Sequence, residues 1–422
     1  MPINRRQFIK QSLGAVSVGL MMPRVFFGRA FPTDSDRRVL VIIEFAGGND
    51  GLNTVIPYAD SRYASLRPTL SFKDSELKDA QGRSTIISDE LGLHPSMGRI
   101  KELYDAGKVA IVLGVGYPDP TGSHFESADI WHTGKREGIR RDGWLGRYAE
   151  QALLGSAGLP AIAVDDRLPK TFSSARFVVP NIPNFEDYGL QTDDHYPDNR
   201  NNKINTLLAL HNRGLAPDSF VGRQARIGLD ALTGSLQFRS ALDTYTSTVE
   251  YPENNGLADG LRMLAQIITT IPEANLLYLQ MGGFDTHSTQ INPEDKFAGQ
   301  HASLLQDFSD GVKAFHEDMA EHQLADKVVI AQWSEFGRRP NENISFGTDH
   351  GTASSLFVIG DGVHGGLYGR QPSLEATKLD DAENMVFNVD FRSVYATILD
   401  RWLGSDSTAV LGGQFEDLGF LG

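Results

Sequence analysis

Cysteine is missing altogether from this chain. That excludes disulfides, a thiol nucleophile and thiolate metal ligands. Any metal must then rest on histidine, aspartate or glutamate. Positive charge is also in deficit: 39 Lys and Arg stand against 54 Asp and Glu, a formal net charge of -15. Such a surface is a poor match for nucleic acid. Long apolar runs are scarce too. A membrane-crossing helix needs about 20 apolar residues, and no segment after the first 30 positions offers them, so no permanent span is expected. Low-complexity tracts and repeats of about 20–50 residues are lacking, which excludes solenoids and propellers.

The N-terminus is the first positive feature. It reads Asn4-Arg5-Arg6-Gln7-Phe8-Ile9-Lys10, then an apolar run from Leu13 to Met22, then Gly28-Arg29-Ala30. Basic, apolar and small-residue regions in that order suit a secretory signal, and the arginine pair suits the twin-arginine type. The expectation is a signal peptide over 1–30, cut near Ala30, with the twin-arginine translocase and a signal peptidase as export partners. The mature chain, 31–422, is then periplasmic or extracellular. An amphipathic first helix and an uncleaved anchor are the alternatives.

Six short apolar runs read as buried strands: Val39–Ile43, Val109–Leu113, Leu159–Val164, Leu276–Leu279, Val328–Ala331 and Leu356–Ile359. They are near-continuous rather than alternating, as in a parallel sheet covered on both faces. Helical spacing lies between them at Pro95–Ala106, Phe297–His322 and Phe391–Leu403. This alternation predicts an α/β fold, a doubly wound and mostly parallel sheet with helices on both faces. Residues 182–251 break the pattern with a polar loop and a helical stretch over Ala225–Val249, and read as an inserted helical cap.

Polar residues collect where the strands end. Gly47-Gly48-Asn49-Asp50 follows the first strand, and Gly282-Gly283-Phe284-Asp285-Thr286-His287 follows the fourth. Ser334-Glu335-Phe336-Gly337-Arg338 follows the fifth, and Ser123-His124-Phe125 lies beyond the second. Asp349-His350-Gly351 precedes the last. Ligands of open α/β sheets bind at the carboxyl ends of strands. Two Asp/His pairs among only 11 histidines point to a metal. Imidazole with carboxylate suits Zn, Mn or Fe, while a carboxylate-rich site suits Mg or Ca. Asp50 and Ser123 are equally readable as helix N-caps. Glu335 is a further candidate ligand, and Arg338 is a candidate grip on an anionic oxygen.

With these motifs in view, the chain resembles a bacterial family of twin-arginine-exported proteins that is similar to the alkaline phosphatase and sulfatase superfamily. The resemblance implies Asp50, Asp349 and His350 as ligands of one metal and Ser123 as the nucleophile that it activates. It implies Asp285 and His287 as ligands of a second metal, with Arg338 steadying the equatorial oxygens. Asp285 and His287 are two residues apart, where phosphatases usually space the pair by four. The function expected is a divalent-metal-dependent hydrolase of phosphate or sulfate esters, acting on a small molecule or a glycan. An envelope binding or assembly protein that keeps the fold without hydrolysis is the alternative, as is a metal enzyme of another chemistry, since fold does not fix reaction.

Overall fold

The computed structural model describes residues 37–156, 158–184, 196–211 and 244–422, with isolated positions between 219 and 228. The expected signal peptide lies outside the described residues.

The apolar runs form one sheet. Its strands are β1 (Val39–Phe45), β2 (Val109–Gly116), β3 (Ala161–Val164), β4 (Leu276–Met281), β5 (Val328–Ser334), β6 (Ser354–Ile359), β7 (Gly366–Gly369) and β8 (Val389–Asp390). Their spatial order is β7-β2-β6-β5-β1-β4-β3, with β8 also paired to β2. β1 runs parallel to β4 and β5, β3 to β4, and β7 and β8 to β2. β6 alone is antiparallel, to both β2 and β5. The near-continuous pattern of β6 reports burial on both faces, not direction. Its reversal comes from its connection: residues 335–353 hold a two-stranded ribbon, Arg338–Glu342 with Thr348–His350, and no crossover helix. A parallel return needs such a crossover.

Period-two alternation divides the core. Val39, Val41, Ile43 and Phe45 of β1 join one cluster with Ile100, Leu264, Phe308 and Val312. Leu40 and Ile42 join the other with Trp131, Trp144, Tyr395 and Trp402. The first face is covered by α1 (Gly98–Asp105), α5 (Gly256–Thr270) and α6 (Gln300–Glu321). The second is covered by α2 (His124–Thr133), α3 (Trp144–Ala152) and α7 (Phe391–Thr397). On that side Trp131 stacks on Trp333 of β5, with centroids 5.2 Å apart. The α/β sheet with helices on both faces is thus present, with one strand reversed.

The inserted region contributes α4 (Pro197–His211). The helical stretch expected over 225–249 falls mostly outside the described residues, and its last positions, 245–249, have no regular structure. They are pinned to α6 instead. Buried Asp318 accepts the hydroxyls of Tyr245 and, at 2.7 Å, Tyr251. Among the described residues no helix is long and apolar enough to cross a membrane.

Candidate metal centre

The reversal of β6 explains why a motif that precedes a strand reaches the same edge as motifs that follow strands. The amino end of an antiparallel strand lies beside the carboxyl ends of its neighbours. Asp349 and His350, just before β6, therefore meet Asp285 and His287, just after β4.

Asp285 Oδ1 is the hub. It lies 3.1 Å from His287 Nε2, 3.2 Å from His350 Nε2 and 3.5 Å from His124 Nε2. It also accepts Arg338 Nη2 at 2.7 Å. His287 Nε2 and His350 Nε2 are 2.7 Å apart. The other nitrogen of each imidazole is held from behind. His124 Nδ1 meets Glu335 Oε1 at 2.7 Å, His287 Nδ1 meets Asp349 Oδ1 at 3.3 Å, and His350 Nδ1 meets the Gly122 carbonyl at 2.8 Å. Burial works against the Asp285 carboxylate, yet the bonds from Arg338 and His350 outweigh it and hold its pKa down at about 2. The Glu335 bond raises the pKa of His124, and burial lowers that of His350. The Asn343 amide, followed by His287, holds Asp349 below the usual carboxylate range.

A divalent metal fits this donor set. One ligand atom each from His124, Asp285 and His350 lies within 4.8 Å of the others. His124 Nε2 is buried and has no hydrogen-bond partner among the described residues. Imidazoles oriented through their second nitrogen by carboxylate or carbonyl are the usual support of a metal.

The remaining expected residues play other parts. Asp50 is not in the cluster. It is fully buried, and its Oδ2 accepts Arg67 Nη1 and Gln290 Nε2, each at 2.6 Å. A guanidinium thus stands against the carboxylate expected to bind a metal. The expected grouping of Asp50 with Asp349 and His350 gives way to one centre on Asp285. Arg338 is 0% exposed. Its nitrogens donate to the carbonyls of Gly47, Gly48, Phe284 and Thr348 as well as to Asp285. Fully buried, it clamps the loops rather than standing open to a substrate oxygen. Glu335 and Asp349 stand behind histidines rather than among the donors. Glu335 also accepts the Gly47 N–H at 2.9 Å.

Gly47 has φ +123°, and a Cβ there would run into the Asp285 backbone. The glycine pair lets the first loop lie directly against the second. Ser123 is the N-cap of α2, and its Oγ accepts Glu126 N–H at 3.5 Å. It is exposed and sits between Gly122, bonded by His350, and His124.

Sequence reasoning missed His124 as a donor, although it sits in the Ser123 motif. A third imidazole beside a strand-end motif was the available signal.

His124, Asp285 and Glu335 line a cleft of about 510 Å³. The same cleft is lined by Glu44 at the end of β1, Gln280 of β4 and His132 of α2. Tyr278 donates its hydroxyl to Glu44 Oε2, and His132 Nε2 lies 3.2 Å from the same oxygen. Burial pushes Glu44 up to about 8 and His132 down to about 4. Both are therefore neutral near pH 7, and the contact is a hydrogen bond between uncharged groups. Unfolded, Glu44 ionises near 4.5. Its contribution to stability is full below that value and is lost as pH rises toward 8. Glu44→Gln is therefore expected to raise stability by roughly 1–3 kcal/mol at pH 7.5 and to add little at pH 5. Melting curves at the two pH values test this.

The fold and the cluster define an α/β protein with a histidine–aspartate centre at the edge of its sheet. Residues 37–416 match the family described as "Protein of unknown function (DUF1501)", and the chain belongs to that family. Solved structures similar to it include these three. The PsFucS1 sulfatase from Pseudoalteromonas sp. is 12% identical, TM-score 0.36, over 98% of this chain and 72% of that one. A protein in the alkaline phosphatase superfamily from Vibrio parahaemolyticus is 9% identical, TM-score 0.35, over 86% and 72%. The phosphonate monoester hydrolase from Silicibacter pomeroyi is 11% identical, TM-score 0.33, over 90% and 78%. No curated protein matches the chain.

Proposed function

We propose that this protein is a metal-dependent hydrolase of phosphate or sulfate esters, exported by the twin-arginine route to the periplasm or beyond. The observation that carries this reading is the convergence of His124, His287 and His350 on Asp285, each imidazole steadied through its second nitrogen. His124, Asp285 and His350 would hold the metal, with His287 beside them. Imidazole donors with a carboxylate favour Zn, Mn or Fe over Mg or Ca. Bound there, the metal supplies Lewis acidity toward an ester oxygen and lowers the pKa of a hydroxyl or water beside it.

The chain's own groups do the rest. Glu335 and Asp349 fix two of the rings, and Arg338 fixes Asp285 against the Gly47–Gly48 loop. Ser123 Oγ is the nucleophile in this reading, attacking phosphorus or sulfur in line. It stands at a helix start, where free backbone N–H groups favour an anion. Ser123 is exposed, so its proton would pass to a base from solvent, and the bond from phosphorus or sulfur to the ester oxygen breaks as the new one forms, releasing the alcohol.

The test is metal analysis of the purified protein, then hydrolysis of p-nitrophenyl phosphate and p-nitrophenyl sulfate by wild type and Ser123→Ala. Bound metal, and activity that falls in kcat with Ser123→Ala, are expected. A metal-free protein with no hydrolysis of either ester would sink the proposal. Metal-dependent hydrolysis that survives Ser123→Ala would move the attack to water.

A further inference from the structure

The cleft is also lined by polar groups that ester cleavage at the cluster does not use. Glu44 of β1 and Gln280 of β4 are register partners at the carboxyl ends of adjacent parallel strands. Tyr278 comes two residues before Gln280, on the same strand. His132 comes from the last turn of α2. Glu44 is 2% exposed, Tyr278 0% and His132 9%. His132 Nδ1 has no hydrogen-bond partner among the described residues. A fold gains nothing from sinking a carboxyl, an imidazole and a phenol into its core, where apolar side chains pack without desolvation cost. Groups of this kind beside a cavity are the usual means of orienting a ligand.

The charge balance says which ligand. The ammonium that lines the cleft, Lys170, is already paired with Asp129, which also takes Arg140 at 3.1 Å. Glu44 and His132 are neutral. What remains are uncharged donors and acceptors, with the Phe125 ring, 92% exposed, also lining the cleft. An anion has its place at the histidine cluster instead.

We propose that Glu44, His132 and Gln280, braced by Tyr278, form a subsite for an uncharged, hydroxyl-bearing organic group, a polyol or sugar. Resting on the ester-hydrolase reading, this group is the part of the substrate that carries the anionic ester. A moiety without hydroxyls is disfavoured because it leaves buried His132 Nδ1 unpaired.

The experiment separates this subsite from the metal centre. Saturation-transfer NMR is recorded on chelator-treated protein with glycerol, myo-inositol and the methyl glycosides of glucose, galactose and mannose, and with n-hexanol as the apolar probe. At least one hydroxylated probe gives a signal with wild type and keeps it with Asp285→Asn. That signal falls about tenfold with His132→Phe and with Gln280→Ala, the worth of one hydrogen bond. Gln280 is exposed, so its variant leaves the core intact. No signal from any hydroxylated probe, an equal signal in all variants, or a signal from hexanol alone overturns the proposal. If the protein binds no metal and cleaves no ester but these signals hold, the subsite stands and the hydrolase reading fails.

Discussion

On the proposed function, Asp285→Ala is expected to abolish divalent-metal binding and ester hydrolysis together. Four cationic or metal-binding nitrogens face one oxygen, Oδ1: those of Arg338, His287, His350 and His124. Without that oxygen, Arg338 keeps its positive charge beside three imidazoles with no anion between them. A metal would then enter a site of net positive potential. Removing a partner that merely orients a ligand already costs about 10–100-fold in metal affinity, and removing the hub should exceed that. The Asn variant keeps the shape and loses only the charge, so it should fall nearly as far. Metal content after dialysis, measured with melting temperature in the presence and absence of added metal, reads this directly. A variant that retains its metal would place the centre elsewhere. The carboxylate, held at about 2, stays ionised through any ordinary assay pH. Acid loss of metal should therefore follow protonation of the histidines.

The second large effect lies behind the cluster. Arg67 and Asp50 are both 0% exposed and 2.6 Å apart. Arg67 also donates to Asn53 Oδ1, to the Pro340 carbonyl and to the Arg339 carbonyl, each at 2.8 Å. It thereby ties the first loop to the ribbon that carries His350. Arg67→Met leaves a buried carboxylate alone, and the expected cost is about 3–5 kcal/mol. Urea unfolding measures it. The double change Arg67→Met with Asp50→Asn should cost less than Arg67→Met alone, because the stranded charge is gone. Burial raises the pKa of Asp50, but Arg67 prevails and lowers it. Its contribution is accordingly present at neutral pH and lost as pH falls through the lowered value. Because Asp50 lies outside the Asp285 cluster and its Oδ2 is held by Arg67 and Gln290, Asp50→Asn should leave metal content unchanged, with about one ion per chain rather than two.

Much of this was legible in the residues. The six apolar runs became strands because burial on both faces demands continuity, and continuity is visible locally. Asp285 and His350 were legible because they follow or precede those runs beside glycines. What escaped was pairing across the chain. Nothing near Arg67 announces that it will meet Asp50, since the Leu66-Arg67-Pro68 stretch looks like an ordinary loop. Arg338 read as free because its five partner groups are distant in sequence, four of them backbone carbonyls. Glu335 and Asp349 were read as metal ligands, and in the structure they meet His124 Nδ1 and His287 Nδ1; donor and support differ by a few ångströms that spacing does not encode. The direction of β6 was hidden for a related reason. An apolar run has no polarity, and only the missing helix before it pointed to a reversal.

That reversed strand also governs the order in which the molecule can be put together. Among the described residues, the strands paired with β2, which spans Val109–Gly116, are β6, β7 and β8, and all three lie after residue 353. A growing chain has therefore made β1, β3, β4 and β5 before anything exists to pair with β2. Both rims of β2, and the β5 rim that β6 will cover, stay open to foreign strands through most of synthesis. The last stretch, from Ser354 to Asp390, closes them, just after His350 has been supplied. A ribosome-bound fragment ending before Ser354 should be prone to aggregation and the finished chain should not.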